Sequence, residues 1–361
     1  MAVKSSGSPL AFSEIEAEFG QNSDRDLGEY RVSQTVGGLS NQPLDTSIPQ
    51  TGEIKFSDFY SKRLNVIIDY YSGSTENRPS DARTKYQAAS KSGNRTVIGF
   101  PATKDRISGN SSGSKVRIHI NKAIGSAVGN VNNCAVRTGS FETGTIVTVE
   151  VGSSGAIYGA GGNGGEAGTS DSDASGDNGG SGSSGLGVQF SGTTVINNGV
   201  ISAGYGGGGG GGYRKVEKEE MFSGPVYAAN GGGGGGGQGL PGGEGLDGAA
   251  DGTISAGGNG GAGGENNQAH GGGGGGGAGS TPGEGGEGGN NNDGADGTGT
   301  VGGNGASGTH TGSIEGENNV QGSGGSGGGS GAAIRRSSSS IEITYAVSGT
   351  INGDISATGV S

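Results

Sequence analysis

The sequence predicts a mostly β and irregular chain with little α-helix. It reads as an N-terminal attachment segment (1–63), a small β domain (64–151), a polyglycine-II helix sandwich (152–334) and C-terminal strands (335–361). Three observations carry that reading. Seven uninterrupted glycines occur three times, at 206–212, 231–237 and 271–277. The glycine phrases between these runs repeat with a period of three, whereas the flanking segments alternate β-branched residues with a period of two.

Composition narrows the classes. Of 91 glycines, 15 lie in residues 1–150 and 3 in 335–361, which leaves 73 for the central block. That block lacks the strict G-X-Y period and abundant proline of collagen. The net charge is −12, and residues 151–334 hold 17 acidic groups against Arg214, Lys215 and Lys218. Such a block repels a phosphate backbone, so nucleic acid is not an expected partner. The single cysteine, Cys134 in VNNCAV, excludes an internal disulfide and reads as a small buried strand residue. The N-terminus lacks the apolar core of a signal peptide, and no stretch approaches ~18 apolar residues, so no membrane insertion is expected.

The N-terminal segment holds two echoing phrases, AFSEIEAEF (11–19) and KFSDFYSKR (55–63). Ser13 and Glu16 have capping-box spacing, which predicts a short helix starting there. The polar stretch with Pro43 and Pro49 reads as an extended connector. With little apolar area of its own, the segment is expected to fold against a partner chain. From 64 to 151, LNVIIDYY, TVIGF, KVRIHI and TIVTVEV read as strands. SIEITYAV (340–347) alternates in the same way, and either returns to that domain or closes the glycine block. GTTVINNGVISAG (192–204), DGTISAGG (251–258) and SGTINGDISATG (348–359) share a pattern and read as β-arcs that stack.

The period of three identifies the glycine conformation. GGNGGAGGE (257–265) places Asn259, Ala262 and Glu265 at every third position. GAGGNGGE (159–166) and GEGGEGGN (283–290) keep the frame. Three residues per turn is the left-handed polyproline-II helix, which makes no internal hydrogen bonds. Glycine rods in that conformation can pack closely enough to bond to one another. A rod with a solvent face carries a side chain at each third residue, and a surrounded rod carries none. At ~3.1 Å per residue a seven-glycine run spans about 22 Å.

Rods running alternately up and down would sort their connections by end: 213–230, 265–270 and 290–301 at one, 238–256, 280–282 and 306–321 at the other. The first end combines cations, aromatics and amides in the manner of a recognition surface. Its candidate binding residues are Tyr213, Arg214, Lys215, Phe222, Tyr227, Asn266, His270, Asn291 and Asn292. Nothing points to catalysis, a cofactor or a metal. His119, His270 and His310 have no partner at ligand spacing, and Glu284 and Glu287 read as solubilising side chains. DSDASGDNGGSG (171–182) copies the start of an EF-hand loop, but has Gly182 where that loop needs its bidentate glutamate, so it reads as an acidic solvated loop.

These features resemble the polyglycine-sandwich adhesins at the long-tail-fibre tips of T-even-like bacteriophages. VINNGVISAGYGGGGGGG is similar to segments of phage tail-fibre proteins. AFSEIEAEFG and SIPQTGEIKFSDFY resemble a recurrent N-terminal module of tailed-phage structural proteins. The resemblance implies a virion protein, made in the host cytoplasm and able to form homo-oligomers. It would dock to other tail proteins through Phe12, Ile15, Phe19, Phe56, Phe59 and Tyr60 and bind a host surface protein or glycan through its loops. The strands at 64–151 are no part of that pattern. Two alternatives are a tail or baseplate protein using the sandwich as a rigid spacer, and an ice-binding polyglycine-II protein. The latter would need ordered Thr rows where this sequence has Glu, Asn and Ser.

Overall fold

The computed structural model describes residues 3–19, 26–30, 35–36, 39–40, 48–49, 51–69, 80–81, 97–100, 112–217, 225–311 and 319–360. Strand and irregular backbone dominate, and Phe12–Phe19 is the one α-helix among the described residues.

The alternating β-branched runs form a parallel β-solenoid. The three middle coils each contribute a strand to each of three sheets, the coils at either end contribute to two, and successive coils stack in register. In the 6-stranded sheet one ladder runs Ile68, Ile118, Val149, Val195, Tyr345. A second face stacks Ile124, Ile157, Ile201 and Ile351, and a third stacks Val136, Leu186 and Ile334. Because strand side chains alternate, every second residue faces inward, and Val116, Ile118, Ile120, Val147, Val149 and Val151 are all buried. Cys134 lies among them, and burial pushes its thiol pKa up to about 12.

This arrangement redraws the expected domain boundaries. The solenoid runs past residue 151 into Ala156–Tyr158 and Ser184–Val188, and the C-terminal strands return to it. Of the three phrases expected to stack, 192–204 and 348–359 occupy adjacent coils. DGTISAGG instead forms a connection within the glycine region, where Thr253 bonds Ala256. The glycine array is thus two insertions, 159–183 and 203–333, each leaving the solenoid after its second face and rejoining at its third.

Within the array, hydrogen bonds between segments advance by three residues, the predicted period. Gly206–Gly212 shows the logic. Gly208 and Gly211 donate to Gly235 and Gly232 and accept from Gly165 and Gly168. Gly209 and Gly212 donate to Gly303 and Ala306 and accept from Gly275 and Gly272. Gly207 and Gly210 donate to Gly180 and Asp177 and accept from Gly328 and Gly325. Each of the three phases thus has one donor-side and one acceptor-side neighbour, and the run is enclosed by six segments. The runs at 231–237 and 271–277 are enclosed in the same way. A Cβ on Gly208 would lie 2.0 Å from the Gly275 carbonyl oxygen, which is why these runs carry no side chain.

Peripheral segments lack an outer neighbour, and here side chains take its place. The outward N–H of Glu284 donates to Asn259 Oδ1 (3.0 Å), that of Glu244 to Asn163 (3.1 Å), that of Ser326 to Asn178 (2.8 Å) and that of Gly285 to Asp296 (2.8 Å). The Asn and Asp at every third position therefore satisfy backbone donors that no rod reaches.

The N-terminal helix forms, two residues out of the expected capping register. Glu14, not Glu16, reaches back, accepting the Ala11 N–H at 2.7 Å and pairing with Lys4 at 2.8 Å. The segment packs on its own chain. Ile15, Phe19, Tyr30, Ile48 and Phe59 are buried in a core continuous with the solenoid, and the Glu18 carboxylate accepts the Leu64 N–H at 2.9 Å. Phe19, Tyr30 and Phe59 pack with ring centroids 5.8–6.1 Å apart.

Candidate functional site

Rod polarity decides which connections share an end. Gly165, Gly208 and Gly303 lie on parallel segments, whereas Gly235, Gly275, Gly180 and Gly328 run opposite to them. The end distal to the solenoid therefore gathers 169–173, the two arms 213–217 and 225–230, 265–270, 289–292 and the flanks of the 308–321 connection. This corrects three assignments. The described flanks of the 306–321 connection, 308–311 and 319–321, join this tip instead of the opposite end. Of 290–301, only its start lies here, since Thr298–Val301 turns at the solenoid side. Within 238–256, the Asp247–Gly248 turn also points this way, with positive φ at both residues. The expectation failed on parity. NNDGADGT (291–298) is itself a segment, bonded through Asn292, Ala295 and Thr298 to Gly273, Gly276 and Gly279, which adds a reversal.

Two small antiparallel sheets build the tip. Arg214–Glu217 pairs on one side with Val226–Ala229 and on the other with Val320–Gln321. Ala269–His270 pairs with Glu265–Asn266 and Thr309–His310. Val216, Ala229 and Ala269 form a small buried cluster between the sheets, with Tyr227 against it. The alternation in RKVE turns Arg214 and Val216 inward and leaves Lys215 and Glu217 half-buried.

The predicted residues converge, but in different roles. Tyr213 is buried and donates its hydroxyl to Asp171 Oδ1 (3.3 Å), while Lys215 Nζ pairs with Asp171 Oδ2 (2.5 Å). Burial, and then the Asp171 charge, raise the Tyr213 pKa; the Asp171 hydrogen bond raises that of Lys215. Asp171 is thereby committed to the tip, and among the described residues no cluster of three metal-ligating side chains occurs. Arg214 is buried, with Nη1 donating to Val320 O and Nη2 facing His310 Nδ1, both at 3.3 Å. His270 is buried with Nε2 3.3 Å from Thr311 Oγ1. Asn266 is exposed and ties across to Ala228 O at 3.1 Å. Asn291 is exposed, and Asn292 is half-buried, donating to Ser307 O. Phe222 lies outside the described residues.

Asp171, His310 and Thr311 belong to the tip although the sequence reading placed none of them there. The available signal was Gly294 and Gly297 at a spacing of three, one glycine per triplet instead of two.

Of the predicted attachment residues, Ile15, Phe19 and Phe59 are buried within the chain. Phe12 and Tyr60 are half-buried, Tyr60 donating to Ser8 O at 2.7 Å, and Phe56 is 40 % exposed.

Residues 85–251 match the family model for phage tail fibre adhesin Gp38, so over that stretch the chain is similar to phage tail-fibre adhesins. No curated protein and no solved structure matches the chain.

Proposed function

We propose that this protein is carried on the phage tail and binds the host cell surface through the tip of the glycine array. An adhesin family implies a virion location, a tail attachment and a host receptor. The observation that supports the tip is the contrast between array and end. The array's backbone is held by hydrogen bonds on every side, whereas 213–217, 225–230, 265–270 and 308–311 present varied polar and aromatic side chains. We read the array as a polyglycine-II sandwich, supported by the three-residue step of its hydrogen bonds and the six-fold enclosure of the glycine runs. Its stiffness presents the tip without an ordering cost on binding.

Attachment to the tail is proposed for the N-terminal segment, where Phe56 is the exposed member of the aromatic group. Adsorption competition tests the tip. Purified protein should block phage adsorption, and a variant carrying Lys215→Ser, Asn266→Ala and Asn291→Ala should keep its melting temperature while losing the block. Equal blocking by that variant would refute the tip assignment and favour a rigid spacer.

A further inference from the structure

The glycine array is acidic, yet Arg214, Lys215, His270 and His310 meet at one corner of the tip. Arg214 is 3 % exposed, and its Nε is buried with no hydrogen-bond partner. Among the described residues no carboxylate lies within 4.0 Å of its guanidinium; its contacts are the Val320 carbonyl and the His310 ring. Beside it, His270 leaves Nδ1 unpartnered, because Glu265 Oε1 at 4.0 Å is too far for a hydrogen bond. Lys215, the next residue, does have a carboxylate in Asp171, so among the described residues the outer cation is neutralised and the buried one is not. A desolvated cation without a counter-charge is costly unless something supplies one.

The geometry shows where that charge would come from. Nε and Nη2 form one edge of the guanidinium, the edge that grips a carboxylate or phosphate with two parallel hydrogen bonds. Among the described residues Nε is buried without a hydrogen-bond partner and Nη2 meets the His310 ring, which is half-buried. We infer that Arg214, His310 and His270 form an oxyanion site for an acidic sugar of the host surface, its carboxylate or phosphate taken on the Nε–Nη2 edge as His310 turns aside. Exposed Asn266 and Asn291 and half-buried Tyr227 surround this corner with the amide and aromatic groups that suit sugar hydroxyls and ring faces. Protonated His310 adds a donor and a positive charge, so binding strengthens as pH falls.

This inference rests on the tip reading and is tested separately from it. The chain has three histidines, and His119 is buried in the solenoid, away from the tip. Imidazole proton signals of the intact protein, titrated with inorganic phosphate, glucuronate, glucose 6-phosphate and neutral glucose, therefore carry their own control. The expected result is a saturable shift of the His310 and His270 signals with the three anions, none with glucose, and His119 unmoved. Arg214→Met should abolish the shift, with an unchanged His119 signal reporting an intact solenoid. Should Arg214→Met not fold, His310→Ala should weaken glucuronate and glucose 6-phosphate at least tenfold, read at His270. No saturable shift in the parent protein, or the same shift in both variants, overturns the site. A pentaglutamate peptide that competes as well as the acidic sugars overturns the sugar assignment. If adsorption is blocked but no anion binds, the tip reading stands without this site; if anions bind but adsorption is unaffected, the reverse holds.

Discussion

The backbone N–H of Glu284 donates to Oδ1 of Asn259, a residue on a neighbouring glycine segment, at 3.0 Å. Asn163 does the same for Glu244 and Asn178 for Ser326. The polar residue at every third position thus acts as a substitute for a missing rod. Asn259→Ala should leave the Glu284 N–H to water alone and lower stability by about 1 kcal/mol. Asn259→Asp keeps the acceptor and should cost less. Urea titrations of the two variants against the parent check the order.

Enclosure of the glycine runs predicts a sharp positional contrast. Gly208→Ala places a methyl 2.0 Å from the Gly275 carbonyl oxygen, whereas Gly299→Ala meets nothing within 4 Å. Forcing segments apart in a packed array costs typically 1–3 kcal/mol or more. Gly208→Ala should therefore lower the melting temperature by several degrees or prevent soluble expression, and Gly299→Ala should melt with the parent. Parallel thermal scans decide it.

The N-terminal aromatics divide by burial. Phe59 is 0 % exposed within the chain's own core, and Phe59→Ala should cost on the order of 3–5 kcal/mol. Phe56 is 40 % exposed, so Phe56→Ser should leave thermal stability near that of the parent. If this segment docks to the tail, the same variant should be under-represented in purified virions. Normal incorporation of Phe56→Ser would remove Phe56 from the docking surface.

The tip should also respond to acid. His310 titrates below its ordinary value of 6.5 because it is desolvated and because Arg214 and His270 stand nearby. The unfolded chain then takes up the proton more readily than the folded one. The stability from this group is complete above about pH 6.5 and falls as pH drops toward the lowered folded value. Among the described residues, the other charged groups at the tip are Glu265, Glu217 and the Lys215–Asp171 pair. Amide protection factors at 214–217 and 309–311, referred to the intrinsic exchange rate at each pH, should fall between pH 7.5 and 5.5, and His310→Gln should flatten that response.

Much of the fold was legible because its periods are chemical. Alternation in KVRIHI and TIVTVEV needs no tertiary information, since a strand buries every second side chain. Triplet glycines likewise announce a three-residue helix. The solenoid was not legible, because parallel coils pair residues as distant as Val195 and Tyr345, and the 203–333 insertion hides the return. Ser184–Val188 was missed as a strand because SGLGV looks like its glycine-rich surroundings; register with Cys134–Arg137 makes it one. At the tip, Tyr213, Arg214, Lys215 and Tyr227 were found as a charged, aromatic break in the glycine, whereas His310 was placed at the wrong end by one uncounted reversal.

The sequence by itself indicated the strand alternation and which glycine runs can be enclosed, because only segments without Cβ atoms let neighbouring backbones approach this closely. Only the tertiary structure decided which connections share an end and that Arg214 meets His310 and His270. Those relationships depend on the number of reversals and on hydrogen bonds between segments far apart in the chain. No local period encodes either.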